Sequence, residues 1–370
     1  MKIGILTSSR ADFGIYLPLL KKLKSDSFFE LEIIAFGTHL SKKYGYTINQ
    51  IEEENFNTIH HIETVPDNDS PMDIGKAIGN TISLFSKFWN KNSYNIVFAI
   101  GDRYEMFAAV TATVPFNIKI AHIHGGETTL GAIDNVFRDS ITLMSTLHFT
   151  STEVYKKRVC QILGKRDGIY NVGALSIDNL SELKLLSISE FREKFNIDLS
   201  IPTILFTFHP ETVGYEKNKD YINEIIATLS ELTNYQIVIT MPNADTMGLM
   251  IRERIEEFAA NKKNIILIES FGTLGYLTCM KYCSFMLGNT SSGFVEASFF
   301  PKYVINLGNR QKGRIITPNI FSIPIIKEKI LATVKKIEKL PPQERINIYG
   351  NGNAASNIIT ILKMEMNENI

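Results

Sequence analysis

The stretch NIVFAIGDRYE at residues 95–105 is a short apolar run that ends in a glycine followed by charged residues. The stretch KIAHIHGGE at 119–127 repeats this pattern after a segment long enough for a helix. Short apolar runs separated by helical patterns are typical of buried parallel strands joined by crossover helices. These two stretches therefore predict strands of a parallel sheet with polar residues at their carboxyl ends, where such sheets bind ligands.

The alternation extends through the chain in two blocks. The apolar runs of the first block include IGIL (3–6) and LEIIAF (31–36), and those of the second are TILFTF (203–208), QIVITM (236–241), NIILI (264–268), SFMLGN (284–289) and YVINLG (303–308). The segment NIDLSIP (196–202) lies between the blocks, and its closing proline stops the helix before it. We predict an α/β fold of two doubly wound domains, 1–195 and 196–352, with a C-terminal helix in 353–370 that crosses back to the first domain.

Composition and charge narrow the class of protein. The 370 residues carry 39 Lys and Arg against 39 Asp and Glu, so no overall field attracts nucleic acid or a membrane surface. The apolar run at the amino terminus is too short for a signal peptide or a membrane span, which predicts a cytoplasmic protein. The spacing of Cys160, Cys279 and Cys283 favours reduced, structural thiols over a disulfide framework or a zinc site.

The motif GNTSSG (288–293) lies between a strand and a helical pattern. Free backbone N–H groups and a helix dipole at such a place favour a phosphate, although Thr290 and Ser291 are equally good helix caps. The sequence contains neither a GxGxxG turn after its first strand nor a GxxxxGK[ST] motif, which argues against a nicotinamide enzyme and a P-loop NTPase.

Three arginines and one histidine follow predicted strands closely. The forked guanidinium groups of Arg10, Arg103 and Arg310 suit phosphate oxygens, although each alone could form a surface ion pair. His209 comes directly after TILFTF and beside a proline, which favours a functional role over a core role. We predict a local anion site.

Asp102, Glu127 and Asp134 could converge as acid and base groups on one cleft. The alternative is structural pairing of Asp102 and Asp134 with arginines, since Arg138 lies four residues after Asp134 on the same helix face. A metal site of His122, His124 and Glu127 is not favoured, because the two histidines share a strand face without a further ligand.

Eight motifs together resemble those of the hydrolysing UDP-N-acetylglucosamine 2-epimerases. They are SSRADFG (8–14), GDRYE, HIHGGE, AIDNVFRDSI (132–141), FHPET (208–212), NAD (243–245), GNTSSGFVE and NLGNRQKGR. Their order and spacing match from residue 2 to about residue 320. The GDR form favours the hydrolysing branch, because non-hydrolysing relatives typically carry GDT.

The resemblance implies two Rossmann-like domains that face a central cleft, as in GT-B glycosyltransferases. The catalytic residues that it implies are Asp102, Glu127, Asp134, His124 and His209. The UDP- and substrate-binding residues that it implies are Arg10, Arg103, His209, Asn243, Thr290, Ser291, Ser292, Glu296 and Arg310, with the hydroxyl residues at the phosphates and Glu296 at the ribose.

The implied chemistry removes the proton at carbon 2 as UDP leaves carbon 1, and water then adds to the 2-acetamidoglucal. Reprotonation on the opposite face gives N-acetylmannosamine for sialic acid synthesis, without a metal or other cofactor. A small-molecule nucleotide sugar is the partner. We expect a homo-oligomer, either a dimer or a dimer of dimers, and Ile78, Ile82 and Phe85 form either a dimer seam as in relatives or part of the core.

The chain departs from the family at two positions. Many members read HIEGGE, so His124 stands where a functional acid is usual, and either His124 or Glu127 replaces that acid. Asn135 stands where an acid often neighbours the residue matching Asp134.

Histidine in this motif also occurs in relatives that act on UDP-N,N'-diacetylbacillosamine for legionaminic acid synthesis. That sugar is therefore the alternative substrate. The alternatives from other functional classes are a GT-B glycosyltransferase and a non-enzymatic sensor of nucleotide sugars.

Overall fold

A computed structural model describes residues 1–65, 68, 70–242 and 247–367. The strands in this part of the chain are β1 (Lys2–Thr7), β2 (Glu30–Phe36), β3 (Thr58–Ile62), β4 (Ile96–Ile100), β5 (Ile120–Ile123), β6 (Leu147–Thr150), β7 (Ile169–Asn171), β8 (Thr203–Thr207), β9 (Gln236–Thr240), β10 (Ile265–Ile268), β11 (Phe285–Gly288), β12 (Val304–Leu307) and β13 (Ile320–Ile323). Asn243, a predicted UDP- and substrate-binding residue, lies outside the described residues.

The helices of the same part are α1 (Arg10–Ser25), α2 (Ile48–Glu53), α3 (Pro71–Trp89), α4 (Tyr104–Thr111), α5 (Asp134–Leu143), α6 (Glu153–Leu163), α7 (Leu175–Glu182), α8 (Ile188–Phe195), α9 (Asn218–Glu231), α10 (Gly248–Ala259), α11 (Gly272–Tyr282), α12 (Glu296–Phe299), α13 (Lys327–Ile337) and α14 (Ala354–Asn367). Short 3-10 turns join several of them.

The chain forms two compact units. Unit 1 consists of Met1–Glu127, Asp134–Glu182 and Ile348–Ile370. Its sheet is parallel, with the strand order β3-β2-β1-β4-β5-β6-β7. The strand β1 is buried from Ile3 onward and packs against α1, whose buried face includes Tyr16, Leu19, Leu20 and Leu23 as the helical periodicity predicted.

Unit 2 consists of Thr128–Ile133 and Leu183–Asn347. Its sheet is also parallel, in the order β10-β9-β8-β11-β12-β13. In both sheets the strand order reverses beside the first strand, so each unit is doubly wound and Rossmann-like. The predicted fold class of two such units is confirmed.

The borders of the units differ from the predicted 195/196 division. The helix α8 belongs to unit 2, because Phe191 packs on Phe271 of that unit with ring centroids 5.4 Å apart. The helical pattern before Pro202 therefore opens the second unit rather than closing the first.

A short segment inside the predicted first domain also belongs to unit 2. In this segment, Thr128–Ile133, the backbone N–H of Leu130 donates to the carbonyl of Lys312 at 2.9 Å, and that of Ile133 donates to Thr212 Oγ1 at 2.9 Å. A Cβ on Gly131 would stand 2.4 Å from the Asn309 carbonyl oxygen, so glycine is required for this close approach. No apolar period marks such a segment, and the sequence did not predict its place.

The C-terminal helix α14 packs in unit 1. Ala354, Ala355, Ile358 and Leu362 lie in the core of that unit. The carboxylate of Asp178 accepts the first two free N–H groups of the helix, at 3.0 and 2.7 Å, which anchors its start.

The apolar face of α3 contributes to the core. Phe85 is fully buried in the core of unit 1, and Ile82 is half-buried against it. Ile78 packs beside Tyr104 in a smaller cluster. This face was interpreted either as a dimer seam or as core, and the core interpretation holds for Phe85.

All three cysteines have free thiols. Burial raises the pKa of the Cys283 thiol to about 11, which keeps that group protonated. Among the described helices, none combines the length and the apolarity that crossing a membrane requires.

Candidate active site

The functional groups of unit 1 gather where β4 and β5 end. These strands are neighbours, so Asp102 after β4 and His124 after β5 leave the same edge of the sheet. Arg138 on α5 connects them. Its guanidinium contacts Asp102 through Nη2 and reaches Glu127 Oε2 at 3.5 Å through Nη1. Arg138 is 2% exposed and its contact with Glu127 is buried, whereas the Asp102 side chain is 20% exposed.

Glu127 is shared by several donors. Its Oε1 accepts a hydrogen bond from His124 Nδ1 at 2.6 Å and another from Ser151 Oγ at 2.9 Å. A carboxylate beside Nδ1 fixes the ring orientation and leaves Nε2 as the reactive nitrogen. His124 and Glu127, both predicted site residues, are thus in contact, while Ser151 was not predicted and Arg138 was named only in the alternative of structural pairing.

His122 and His124 do not share a face. The strand β5 ends at Ile123, and His124 has a φ of +64°, so the alternation of the strand stops before it. His122 instead donates from Nε2 to the Gly101 carbonyl at 2.9 Å and bonds Thr142 through Nδ1. Burial lowers its pKa to about 3, which marks a neutral core histidine. No cluster of three metal-ligating side chains occurs among the described residues.

The remaining predicted residues of unit 1 lie at helix starts. Asp134 is the first residue of α5 and Arg10 is the first of α1. Arg103 caps α4 and forks onto Glu105, with Nη2 to Oε1 at 2.9 Å and Nε to Oε2 at 3.2 Å. Part of the Arg103 charge is therefore already neutralised within the unit.

A carboxylate that sequence reasoning did not select lies beside these arginines. Asp12, within the quoted motif SSRADFG, is buried and accepts from Ser8 N at 2.9 Å and from Ser8 Oγ at 2.6 Å. Burial raises its pKa, while the hydrogen bonds from Ser8 and the charge of Arg103 oppose that shift. A signal was present, because an acid in the first turn of a helix that directly follows a strand is a candidate site residue.

The functional groups of unit 2 gather around Asn289. The side chain of Asn289 accepts from His209 N at 2.7 Å and donates to the His209 carbonyl at 2.8 Å. The Asn289 carbonyl accepts from Gln311 Nε2 at 2.8 Å and from Arg310 Nη1 at 3.4 Å. Because β8, β11 and β12 are adjacent, this one residue fixes the turns after all three strands. Neither Asn289 nor Gln311 was predicted.

The hydroxyl groups of GNTSSG form a short chain with a tyrosine. Thr290 Oγ1 lies 3.1 Å from Ser292 Oγ, which lies 2.5 Å from Tyr276 OH. Thr290 occupies the N-cap position of the 3-10 turn Ser291–Gly293 but makes no side-chain capping bond there. The motif leads into a 3-10 turn and the four-residue helix α12, which begins at Glu296. The expected helix dipole is therefore small here, and hydroxyl and backbone donors remain.

Glu211 fixes the turn that carries Arg310. Its Oε1 accepts from Asn309 N at 2.5 Å. Burial raises the pKa of Glu211, against hydrogen bonds from the backbone of Asn309 and Arg310. The glutamate of FHPET thus positions the loop of Arg310 instead of facing solvent.

Replacing Asn289 with alanine is expected to lower the free energy of unfolding by about 1–3 kcal/mol, because it leaves two buried backbone groups of His209 unpaired. Asn223→Ala is the control. Asn223 is exposed in the same unit and should change stability by less than about 0.5 kcal/mol. Urea denaturation measures both variants, and equal midpoints would contradict the role of Asn289.

Comparisons with known proteins agree over nearly the whole chain. The sequence profile of the family described as UDP-N-acetylglucosamine 2-epimerase matches residues 21–363. The polysialic acid biosynthesis protein P7 of Escherichia coli is 35% identical over 98% of this chain and 93% of its own length. The GDP/UDP-N,N'-diacetylbacillosamine 2-epimerase (hydrolyzing) of Campylobacter jejuni is 34% identical over 88% of this chain and 84% of its own.

A solved structure gives the same fold. The UDP-GlcNAc 2-epimerase of Neisseria meningitidis, in a crystal structure bound to UDP-GlcNAc, superposes with a TM-score of 0.83. The alignment covers 98% of this chain and 100% of that chain at 20% identity. At this identity the likeness concerns the fold.

Proposed function

The chain belongs to the UDP-N-acetylglucosamine 2-epimerase family, and from this membership we propose that it converts UDP-N-acetylglucosamine and water into N-acetylmannosamine and UDP. The observation that carries the proposal is the cluster of Asp102, His124 and Glu127 around Arg138 in unit 1. This cluster brings possible acid and base groups together at the ends of two adjacent strands, β4 and β5.

We assign the chemistry at the sugar to unit 1. A base removes the proton at carbon 2, the C2–H electron pair forms the C1=C2 double bond, and the C1–O pair leaves with UDP. Water then adds its oxygen to carbon 1 of the 2-acetamidoglucal, and an acid protonates carbon 2 on the opposite face. Asp102, Asp134, His124 and Glu127 are the candidates for these proton transfers.

We assign the nucleotide to unit 2. His209, Arg310 and the hydroxyl groups of Thr290, Ser291 and Ser292 are the proposed partners of the diphosphate, whose negative charge grows as it leaves. The cross-bonding of Asn289 supports this assignment, because it orders the turns of His209 and Arg310 before any ligand binds. Glu296 is the proposed ribose partner, and Arg10 and Arg103 are proposed anion-binding residues of unit 1.

Incubation of the purified chain with UDP-N-acetylglucosamine in D₂O tests the proposal. We expect UDP and free N-acetylmannosamine in equal amounts, with deuterium at carbon 2 because that proton is replaced from solvent. An absolute need for a sugar acceptor would indicate a glycosyltransferase. Tight binding of UDP without any turnover would indicate a sensor.

A second substrate is favoured by the Campylobacter jejuni relative, whose name gives a diacetylbacillosamine nucleotide. UDP- and GDP-linked N,N'-diacetylbacillosamine should therefore be assayed beside UDP-N-acetylglucosamine. The three values of kcat/KM rank the substrates, and the released nucleotide is identified by chromatography.

Self-association and a cytoplasmic location stay predictions. Light scattering during size-exclusion chromatography tests the first, with a dimer or a dimer of dimers expected. Fractionation of the producing cells tests the second.

A further inference from the structure

We propose that His124 is the base that removes the proton at carbon 2 and that Glu127 is a positioning residue for it. This inference rests on the proposed function. It decides between the two residues that the sequence left as equal candidates for the missing family acid.

The carboxylate of Glu127 is fully engaged. One oxygen accepts from both His124 Nδ1 and Ser151 Oγ, and the other faces Arg138 Nη1. Glu127 is also 2% exposed. A carboxylate held by three donors is poorly placed to take a proton from carbon, since it would have to give up those bonds.

His124 has the opposite arrangement. Its Nδ1 donates to Glu127, whereas its Nε2 is buried and has no hydrogen-bond partner among the described residues. With the proton on Nδ1, the neutral ring presents a lone pair on Nε2. Leaving a buried nitrogen unpaired is unfavourable, and such exceptions occur where a group serves chemistry.

The backbone of His124 is held in a costly conformation that aims the ring. Its φ of +64° lies in the left-handed region, which is strained for a residue with a side chain. Two hydrogen bonds hold it there, from His124 N to the Phe149 carbonyl at 3.0 Å and from Arg138 Nη1 to the His124 carbonyl at 3.1 Å. Strain that the surroundings enforce is a mark of functional sites.

The proposed step balances. The Nε2 lone pair takes the carbon 2 proton, the C2–H pair becomes the C1=C2 bond, and the C1–O pair leaves with UDP. The imidazolium that forms is stabilised by the Glu127 carboxylate on Nδ1. The proton then passes to solvent, which restores the neutral ring for the next turnover.

The test uses His124→Gly, because glycine adopts the left-handed conformation readily and should preserve the turn. UDP release is expected to fall at least about 100-fold, mainly in kcat, and to recover in part when imidazole is added to the assay. The control is His61→Gly, the same substitution at an exposed histidine of unit 1, with wild-type turnover and no response to imidazole expected.

Glu127→Gln separates the two roles. Glutamine still accepts from Nδ1 but stabilises the imidazolium less, so we expect a smaller loss of kcat than for His124→Gly, with KM unchanged and no imidazole rescue. The assignment is overturned if Glu127→Gln lowers kcat more than His124→Gly does while His124→Gly retains turnover. It is also overturned if His124→Gly releases UDP at the wild-type rate and accumulates the glycal, because His124 would then act after the elimination.

A nitrogen-15 NMR spectrum of histidine-labelled protein tests the geometry without turnover. We expect a downfield Nδ1–H proton that disappears in His124→Gly and shifts in Glu127→Gln. A protonated Nε2 with bare Nδ1 would refute the assignment. Failure of the proposed function itself would show as absence of UDP release from the wild-type chain, so the two failures are distinguishable.

Discussion

Replacing Arg138 with methionine is expected to lower the free energy of unfolding by about 3–5 kcal/mol, because it leaves buried partners without their counter-charge. Methionine fills a similar volume but carries no donor for Asp102, Glu127 or the His124 carbonyl. Turnover is expected to fall at least about 100-fold even where the protein stays folded, since a shift of about 1 Å in a reacting group costs that much. Chemical denaturation and UDP release measure the two effects.

Arg138→Lys and Arg254→Met complete the experiment. Lysine keeps the charge but cannot reach three acceptors as a fork does, so we expect a smaller loss of stability and a similar loss of turnover. Arg254 pairs with Glu257 at 2.8 Å on the surface of unit 2, with 46% of its side chain exposed, and its loss should cost less than about 1 kcal/mol. A stable and active Arg138→Met variant would show that the cluster does not depend on this arginine.

Asp102 could be predicted from sequence because its position follows from strand periodicity alone. A charged residue directly after an apolar run must leave the carboxyl edge of a parallel sheet. The same rule found His209 and the turn of Arg310. Arg138 falls outside this rule because it lies on the helix α5, and its partners Asp102 and Glu127 follow two different strands, 36 and 11 residues away in sequence.

The turn residues show a second limit. Thr290 and Ser291 were selected for their hydroxyl groups, while their neighbour Asn289 was passed over. Asn289 acts through reciprocal bonds to His209, which is 80 residues away in sequence. Pattern reasoning identifies groups that could meet a ligand, but it does not identify the groups that hold them in place.

His124 shows a third limit. Strand alternation placed it on the face of His122, but β5 ends one residue earlier. The left-handed backbone of His124 is set by bonds to β6 and to Arg138, which a local pattern does not contain. As a result, His122 lies in the core and His124 lies beside Glu127.

Replacing Gly288 with alanine is expected to destabilise unit 2 by about 3 kcal/mol or more, from backbone strain together with overpacking. Gly288 has a φ of +136°, and a Cβ there would stand 1.9 Å from the carbonyl oxygen of Thr207. These two residues are register partners of β11 and β8 at the centre of the sheet. The strands would have to separate to admit one methyl group.

Gly272→Ala isolates the strain from the overpacking. Gly272 also has a positive φ, +63°, but nothing lies within 4 Å of the position that its Cβ would take. We expect it to cost about 1–2 kcal/mol, from strain alone. Thermal unfolding of both variants measures the difference, and equal losses would show that β8 and β11 relax around the added methyl. A larger loss for Gly288 means that the first glycine of GNTSSG is required by strand pairing. The part of that motif that we propose for the diphosphate then begins at Thr290, after Gly288, which pairs the strands, and Asn289, which holds His209.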